Sequence, residues 1–439
     1  MRIWLLLICC CGVASQALAT DWPHFRGPFY NGSTDETNLP TDWSTTDNIA
    51  WTADLPGPSA ATPVVSRSCV FVSSTDLASE GLQALCFDRS TGAQRWAHDI
   101  VDDDITEGLR RDTRSTYAAP SPAADGDVVI FFYGNGLLYA FDYDGNKLWN
   151  RNLQKEYGEF SSLWTFATSP LLYGGRLYVQ ILQRDVPVDG RGKQSAESYL
   201  LAIHPKTGLN SWRSLRPSQA VAESREGFTS PVPFAGKTGK ELLVIGGDAL
   251  TSHDLLTGEE LWRWETWNPD KIGHWRHVPS PVASEEVVLV CAPKRDPVYA
   301  IKRGGTGQLT SSSVAWVSKE HKQVTSDVPT PAYYDGDFFV LSDIAKSLTR
   351  VSPSGDIKWT LSKTPGLKKY EASPLAADGK IYLINFAGEV TIVDAESGEV
   401  LKTIPMDANK EGDVRSTIVA AGGQLFIRAN RKLYCVGEK

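Results

Sequence analysis

Methionine and cysteine are scarce here: the 439 residues hold 2 Met and 7 Cys. Three of those cysteines, Cys9, Cys10 and Cys11, cluster near the N-terminus. No C-x-x-C pair occurs, so zinc-ribbon, thioredoxin-like and c-type haem readings have no support. G-x-S-x-G, H-E-x-x-H and the P-loop are also absent, which removes the usual hydrolase, zinc-protease and nucleotide signatures. Positive charge is not in excess, with 44 Lys+Arg against 52 Asp+Glu and a net charge of −8. Nucleic acid is therefore not an expected partner, because neutralising phosphates needs clustered positive charge. Sustained 3.6-residue apolar periodicity is missing, which predicts little helix.

The N-terminus carries one positive charge at Arg2, an apolar run from Ile3 to Val13, and Ala17-Leu18-Ala19. That is the pattern of an export signal over residues 1–19, and it is too short for a membrane-spanning helix. No later stretch is long and apolar enough to span either. Export to the periplasm or the medium is expected, with residues 20–47 as a leader and 48–439 as the folded unit. Past the signal, Cys69, Cys86, Cys291 and Cys435 remain. If the runs around Cys69 and Cys86 pair as a hairpin, their thiols fall opposite each other to within a residue. A disulfide and a pair of small buried side chains are both open readings.

What is plentiful is tryptophan, 14 in all, together with a repeat. Each unit begins with a small residue and Pro, runs through a short apolar strand to a Gly turn, and adds two more strands. It then closes with G-x-x-x-W. The closers are Gly92/Trp96, Gly145/Trp149, Gly208/Trp212, Gly258/Trp262 and Gly355/Trp359. A diverged unit ends at Trp316, and another keeps Gly398 but places Lys402 where Trp is expected. The openers are Pro63, Pro122, Pro170, Pro231, Pro281, Pro331 and Pro374, spaced 43 to 61 residues apart. Asp125-Gly126, Gly174-Gly175, Asp335-Gly336, Asp378-Gly379 and Gly422-Gly423 supply the tight turns.

Four short strands per unit of this length predict a β-propeller. Seven units are complete. The last, Ser416 to Val436, lacks its outer strand, and Asn48-Ile49-Ala50-Trp51 can supply it from the other end of the chain. The expected fold is therefore all-β. It is an eight-bladed β-propeller of four-stranded antiparallel blades, its ring closed by an N-terminal strand. The closing Trp rings are expected to wedge between blades with their N–H on a backbone acceptor, each burying roughly 150–250 Å².

These residues resemble the pyrroloquinoline-quinone (PQQ)-like eight-bladed propellers. The A/S-P openings, the D-x-x-T-G-x-x-x-W ends (Asp88 to Trp96, Asp254 to Trp262) and the N-to-C closure carry the likeness, from about Asn48 to Glu438. The segment Asp21-Trp22-Pro23-His24-Phe25-Arg26-Gly27-Pro28 is similar to the leader of exported members of that family. The resemblance implies one of two functions. Quinoprotein members bind PQQ and calcium in the central funnel and oxidise alcohols or sugars. BamB-like members bind no cofactor and act as protein-binding scaffolds in the bacterial envelope. The only adjacent cysteines here lie in the expected export signal, and the haem domain of many quinoproteins and a convincing lipid-anchored Cys are absent. The expected function is the non-catalytic scaffold, with no cofactor, no metal site and no catalytic residue. The quinoprotein oxidoreductase is the alternative.

Residues just before each strand opener should face the central channel. Aligned on the openers, they are Tyr117, Phe166, Gly227, His277, Asp327, Tyr370 and Val414, followed by Phe228, Glu371 and Arg415. A second layer holds Arg225, Glu226, Trp275 and Arg276. From these the expected funnel site is Tyr117, Arg225, Glu226, Arg276, His277, Asp327, Tyr370, Glu371 and Arg415. Such a mixture suits an envelope protein or a small anionic ligand, bound by a monomer. His274-Trp275-Arg276-His277 is the sharpest local feature, and a third metal ligand beside its two His is missing.

Overall fold

The computed structural model describes residues 20–101, 114–237, 239–265, 267–406 and 412–438. The export signal expected at residues 1–19 and the acidic run Asp102–Asp104 lie outside the described residues. Eight antiparallel sheets follow one another as blades. The first consists of Val64–Ser66, Cys69–Asp76, Gly81–Asp88 and Gln94–Ile100, from the axis outward. In the eighth, Val419–Ala421, Gln424–Ala429 and Lys432–Val436 are joined by the N-terminal strand Ile49–Asp54. Trp51 stands opposite Cys435, so the ring closes between the two ends of the chain as the repeat required. The fourth blade carries an extra short strand, Gly307–Gln308, paired in parallel to its outer edge.

The G-x-x-x-W closers couple neighbours. The Nε1–H groups of Trp51, Trp96, Trp149, Trp212, Trp316 and Trp359 each donate to a backbone carbonyl of the following blade, at 2.7–3.1 Å. The closer Gly of that following blade lies on the same indole. A Cβ on Gly92 would sit 2.5 Å from the Trp51 ring, and one on Gly398 would sit 2.7 Å from Trp359. Both glycines also have positive φ, so no other residue serves. Trp262 is the exception, because the fifth blade has no closer Gly to receive it. Its Nε1 donates instead to the buried Glu241.

The openers perform a second coupling. The residue before each of the seven opening Pro is Ser or Thr, Thr417 holds the matching place in the eighth unit, and these hydroxyls line up in a ring around the axis. Thr62 N donates to Ser121, Ser121 N to Ser169, Ser169 N to Ser230, Ser230 N to Ser280, Ser280 N to Thr330 and Thr330 N to Ser373. Thr417 N donates to Thr62 across the closure. Each link contributes about 0.5–1.5 kcal/mol net and would leave a buried donor unpaired if lost. The Pro that follows removes an N–H from the innermost strand, the one edge with no neighbouring strand.

Cys69 stands opposite Asp88, and Cys86 stands opposite Phe71. The two cysteines are therefore offset by two residues rather than directly paired, and both are buried free thiols. A hydrogen bond from Cys86 draws the Cys69 thiol below its ordinary value.

The leader is a strap across one face. Trp22 bridges Val65 of blade 1, and Pro23 O accepts from Ala124 of blade 2. Tyr30 packs edge-on against Tyr173 of blade 3, with ring centroids 5.5 Å apart. The chain then crosses to the opposite side. Arg26 donates to Pro331 O at 2.7 Å, and Asn31 O accepts from Tyr333 N of blade 6. Gly32 and Thr34 pair with Ala376 of blade 7, and the Glu36 carboxylate receives Gly422 N and Gly423 N of blade 8. Burial pushes the Arg26 guanidinium down to about 9.

Candidate functional site

The axial funnel holds about 210 Å³. The strap's Phe25 forms part of its lining, together with the hydroxyl ring residues Ser121, Ser169, Ser230, Thr330, Ser373 and Thr417. Charged groups stand above them: Arg114, Arg276, Asp327, Lys369, Glu371 and Arg415, with the indole of Trp164.

Of the nine expected site residues, the structure brings Arg276, Asp327, Glu371 and Arg415 together in this wall. The other five do not line it. Tyr117, His277 and Tyr370 are 0–3 % exposed and are packed between blades. The reason is a one-residue offset. Chain entering a strand is extended, so successive side chains point in opposite directions. The residues after the aligned ring, Ala167, Phe228, Val278, Val328, Glu371 and Arg415, face the funnel, and Asp327 is the ring position that lines it as well. Burial pushes the His277 imidazole down to about 3, so it is neutral. The Tyr370 hydroxyl is bonded to Pro365 O and Thr391.

Arg225 and Glu226 leave the funnel for a different reason, a 3-10 turn over Ala222–Arg225. It points Arg225 at Asp185 and Glu226 at Arg184, 2.5 Å away. Glu226 is fully buried, and burial raises its carboxyl above the ordinary range despite Arg184. The alignment missed Phe25, Arg114, Trp164 and Lys369. Lys369 was within reach, since it lies two residues before Glu371 on the same face of an extended segment.

The funnel's ion pairs form two groups. Arg276 holds Glu223 at 3.1 Å, and the same carboxylate accepts from Trp164 Nε1 at 2.8 Å. Arg276 and Arg114 both lie over the Trp164 ring, at 5.5 and 4.6 Å from its centroid. In the second group, Lys369 bridges Asp343 (3.0 Å) and Glu371 (2.8 Å), while Arg415 bridges Glu371 (3.1 Å) and Asp413 (3.1 Å). Burial works against the Lys369 ammonium, but Glu371 and Asp343 hold it above its ordinary value. Burial raises the Asp343 carboxyl.

Calcium takes six to eight oxygen ligands from carboxylates and carbonyls. The described residues contain no cluster of three His, Cys, Asp or Glu that could hold a metal ion. Glu371 is tied to two cations, and Asp327 is tied to Lys294 through the backbone N–H at 2.7 Å. These carboxylates do not fit a calcium–quinone site.

The family model described as outer membrane protein assembly factor BamB matches residues 33–180 and 246–438, most of the chain. The chain belongs to the BamB family. No curated protein sequence matches it. Among solved structures it is similar to BamB from Moraxella catarrhalis, at 12 % identity and TM-score 0.58, over 89 % of this chain and 97 % of that one. It is also similar to a europium-containing methanol dehydrogenase, at 10 % identity and TM-score 0.65, over 93 % and 89 %. Quinohemoprotein alcohol dehydrogenase from Comamonas testosteroni matches at 14 % identity and TM-score 0.65, over 95 % and 81 %. At these identities the likeness shows the propeller alone. In this BamB-family chain the strap residues Trp22 to Gly32 precede the matched region, whereas the funnel's Lys369, Glu371 and Arg415 lie within it. No helix of the described residues is long and apolar enough to cross a membrane.

Proposed function

We propose that this protein is an exported, monomeric binding or scaffold module of the bacterial envelope, without a cofactor or catalysis of its own. Its funnel receives a carboxylate, borne by an envelope protein or a small anionic ligand. The observation that carries this reading is the chain Asp343–Lys369–Glu371–Arg415–Asp413. Asp413, 47 % exposed, is the outermost member, and an incoming carboxylate can take its place on Arg415. A charge-assisted bond in a partly enclosed site contributes about 1.5–3 kcal/mol, against near zero for an exposed pair.

The test is a pull-down from an envelope extract with wild type and with Arg276→Ala/Arg415→Ala. At least a tenfold loss of the recovered partner is expected from a variant that still unfolds cooperatively, its melting temperature lowered by the loss of the pairs to Glu223 and Glu371. Recovery equal to wild type sinks the funnel reading. A parallel titration with PQQ and calcium addresses the quinoprotein oxidoreductase. Sub-micromolar uptake with a quinone absorbance change would overturn the non-catalytic assignment.

A further inference from the structure

A second cavity of about 920 Å³ lies off the axis, on the loops of blades 4 to 6. Its walls are the loop 267–275 after the outer strand Glu260–Trp264, the loop 292–297, the linker 317–325 and the turn at Ile344-Ala345. The segment His274–His277 divides it from the funnel. Trp275 lines the groove, Arg276 lines the funnel, and His277 is buried. These two neighbouring side chains thus serve different cavities, as extended backbone allows.

The groove combines three features. Its floor is aromatic: Trp267 is 3 % exposed, packs at a tilt against Trp264 with centroids 5.2 Å apart, and touches His277 edge-on at 4.8 Å. The Trp267 Nε1–H is buried without an acceptor among the described residues, which a buried indole usually has. Its rim is cationic: Arg295, Lys319 and Lys322 are exposed and make no ion pair among the described residues. The chain's net charge is −8, and the funnel's Arg276, Lys369 and Arg415 are all paired. Two carboxylates, Asp270 and Asp296, also line the groove. Burial raises the carboxyl of Asp296.

We infer that this groove binds an extended acidic peptide segment, an apolar side chain of which covers Trp275 while flanking carboxylates meet Arg295, Lys319 and Lys322. Apolar surface beside unneutralised cations calls for a ligand that is apolar and anionic within a few ångströms, as such a peptide is. The proposal does not depend on the funnel reading.

The experiment uses the whole exported chain and a fluorescein-labelled decapeptide of alternating Glu and Phe, followed by anisotropy. The same peptide with Lys for Glu and a labelled polygalacturonate oligomer are the comparison probes. The acidic peptide should bind saturably, and the basic one should bind at least tenfold more weakly. Lys319→Glu/Lys322→Glu, at exposed positions that leave the core intact, should weaken the acidic peptide at least tenfold. Trp275→Ala should weaken it about fivefold. Reversing two exposed lysines elsewhere, Lys147→Glu/Lys358→Glu, should change it less than twofold. The inference is overturned by no saturable peptide binding, by equal binding of both peptides, or by a preference for polygalacturonate. It is likewise overturned if Arg276→Ala/Arg415→Ala abolishes binding while Lys319→Glu/Lys322→Glu does not.

Discussion

In the axial funnel Arg276, Lys369 and Arg415 each hold a carboxylate of their own chain. Around the off-axis groove Arg295, Lys319 and Lys322 hold none among the described residues. The funnel is assembled by the segments of many blades converging on one axis, so its charges are crowded and must neutralise one another. The groove is made by loops of three adjacent blades at the surface, where water solvates an unpaired ammonium at little cost. Charges in the funnel thus bear on stability as well as binding, and those of the groove bear on binding alone. Perturbing each region in turn tests that division.

The largest effect is expected from deleting residues 20–54. This removes the strap with Phe25, the outer strand of the eighth blade, and the Trp51–Gly92 contact. The ring should open, and the melting temperature should fall sharply or the transition should lose its cooperativity in calorimetry. A truncated chain that melts like the full one would break the closure and the role of the strap together.

Next is Glu371→Ala, which takes one carboxylate from both Lys369 and Arg415. A loss of about 1.5–3 kcal/mol in chemical denaturation is expected. Lys322→Ala on the groove rim should stay within about 0.5 kcal/mol of wild type. Equal costs for the two would erase the contrast.

Ser230→Ala removes the acceptor for Ser169 N in the hydroxyl ring below the funnel charges. It should cost about 1 kcal/mol by the same measurement.

The subtlest test concerns the groove's footing. Asn268 anchors the 267–275 loop by donating to Asp248 at 2.8 Å and by bonding Ile272. Burial pushes the Asp248 carboxyl up to about 6, from an ordinary 3.8. Because the folded value is the higher one, its contribution is fully present below pH ~3.8 and is lost as pH rises through about 6. Asp248→Asn keeps an acceptor for Asn268 and suits the positive φ of 56° at this position. It should raise the melting temperature at pH 7.5 and flatten its change between pH 4 and 7. An unchanged pH profile would remove Asp248 from the account.

The blades, their number and the closure through Trp51 were legible in the sequence because each depends on a short local pattern. Gly-turn hairpins and G-x-x-x-W need only residues a few positions apart, repeated until the ring is full. The Ser/Thr before each opener was legible too, though only as a small residue, since its hydroxyl has meaning only when the next blade's Ser/Thr is beside it. The funnel was half legible. The segments that reach it could be aligned, but an error of one residue exchanges Tyr370 for Glu371 and His277 for Val278, because extended backbone alternates its faces. What only the tertiary structure decided is what meets across the ring. Arg26 reaches Pro331, 305 residues away. Trp267 and Lys322 share one groove, and the turn at Ala222–Arg225 sends Glu226 to Arg184. Those contacts rest on through-space packing of segments with no common motif, and nothing periodic in the chain encodes them.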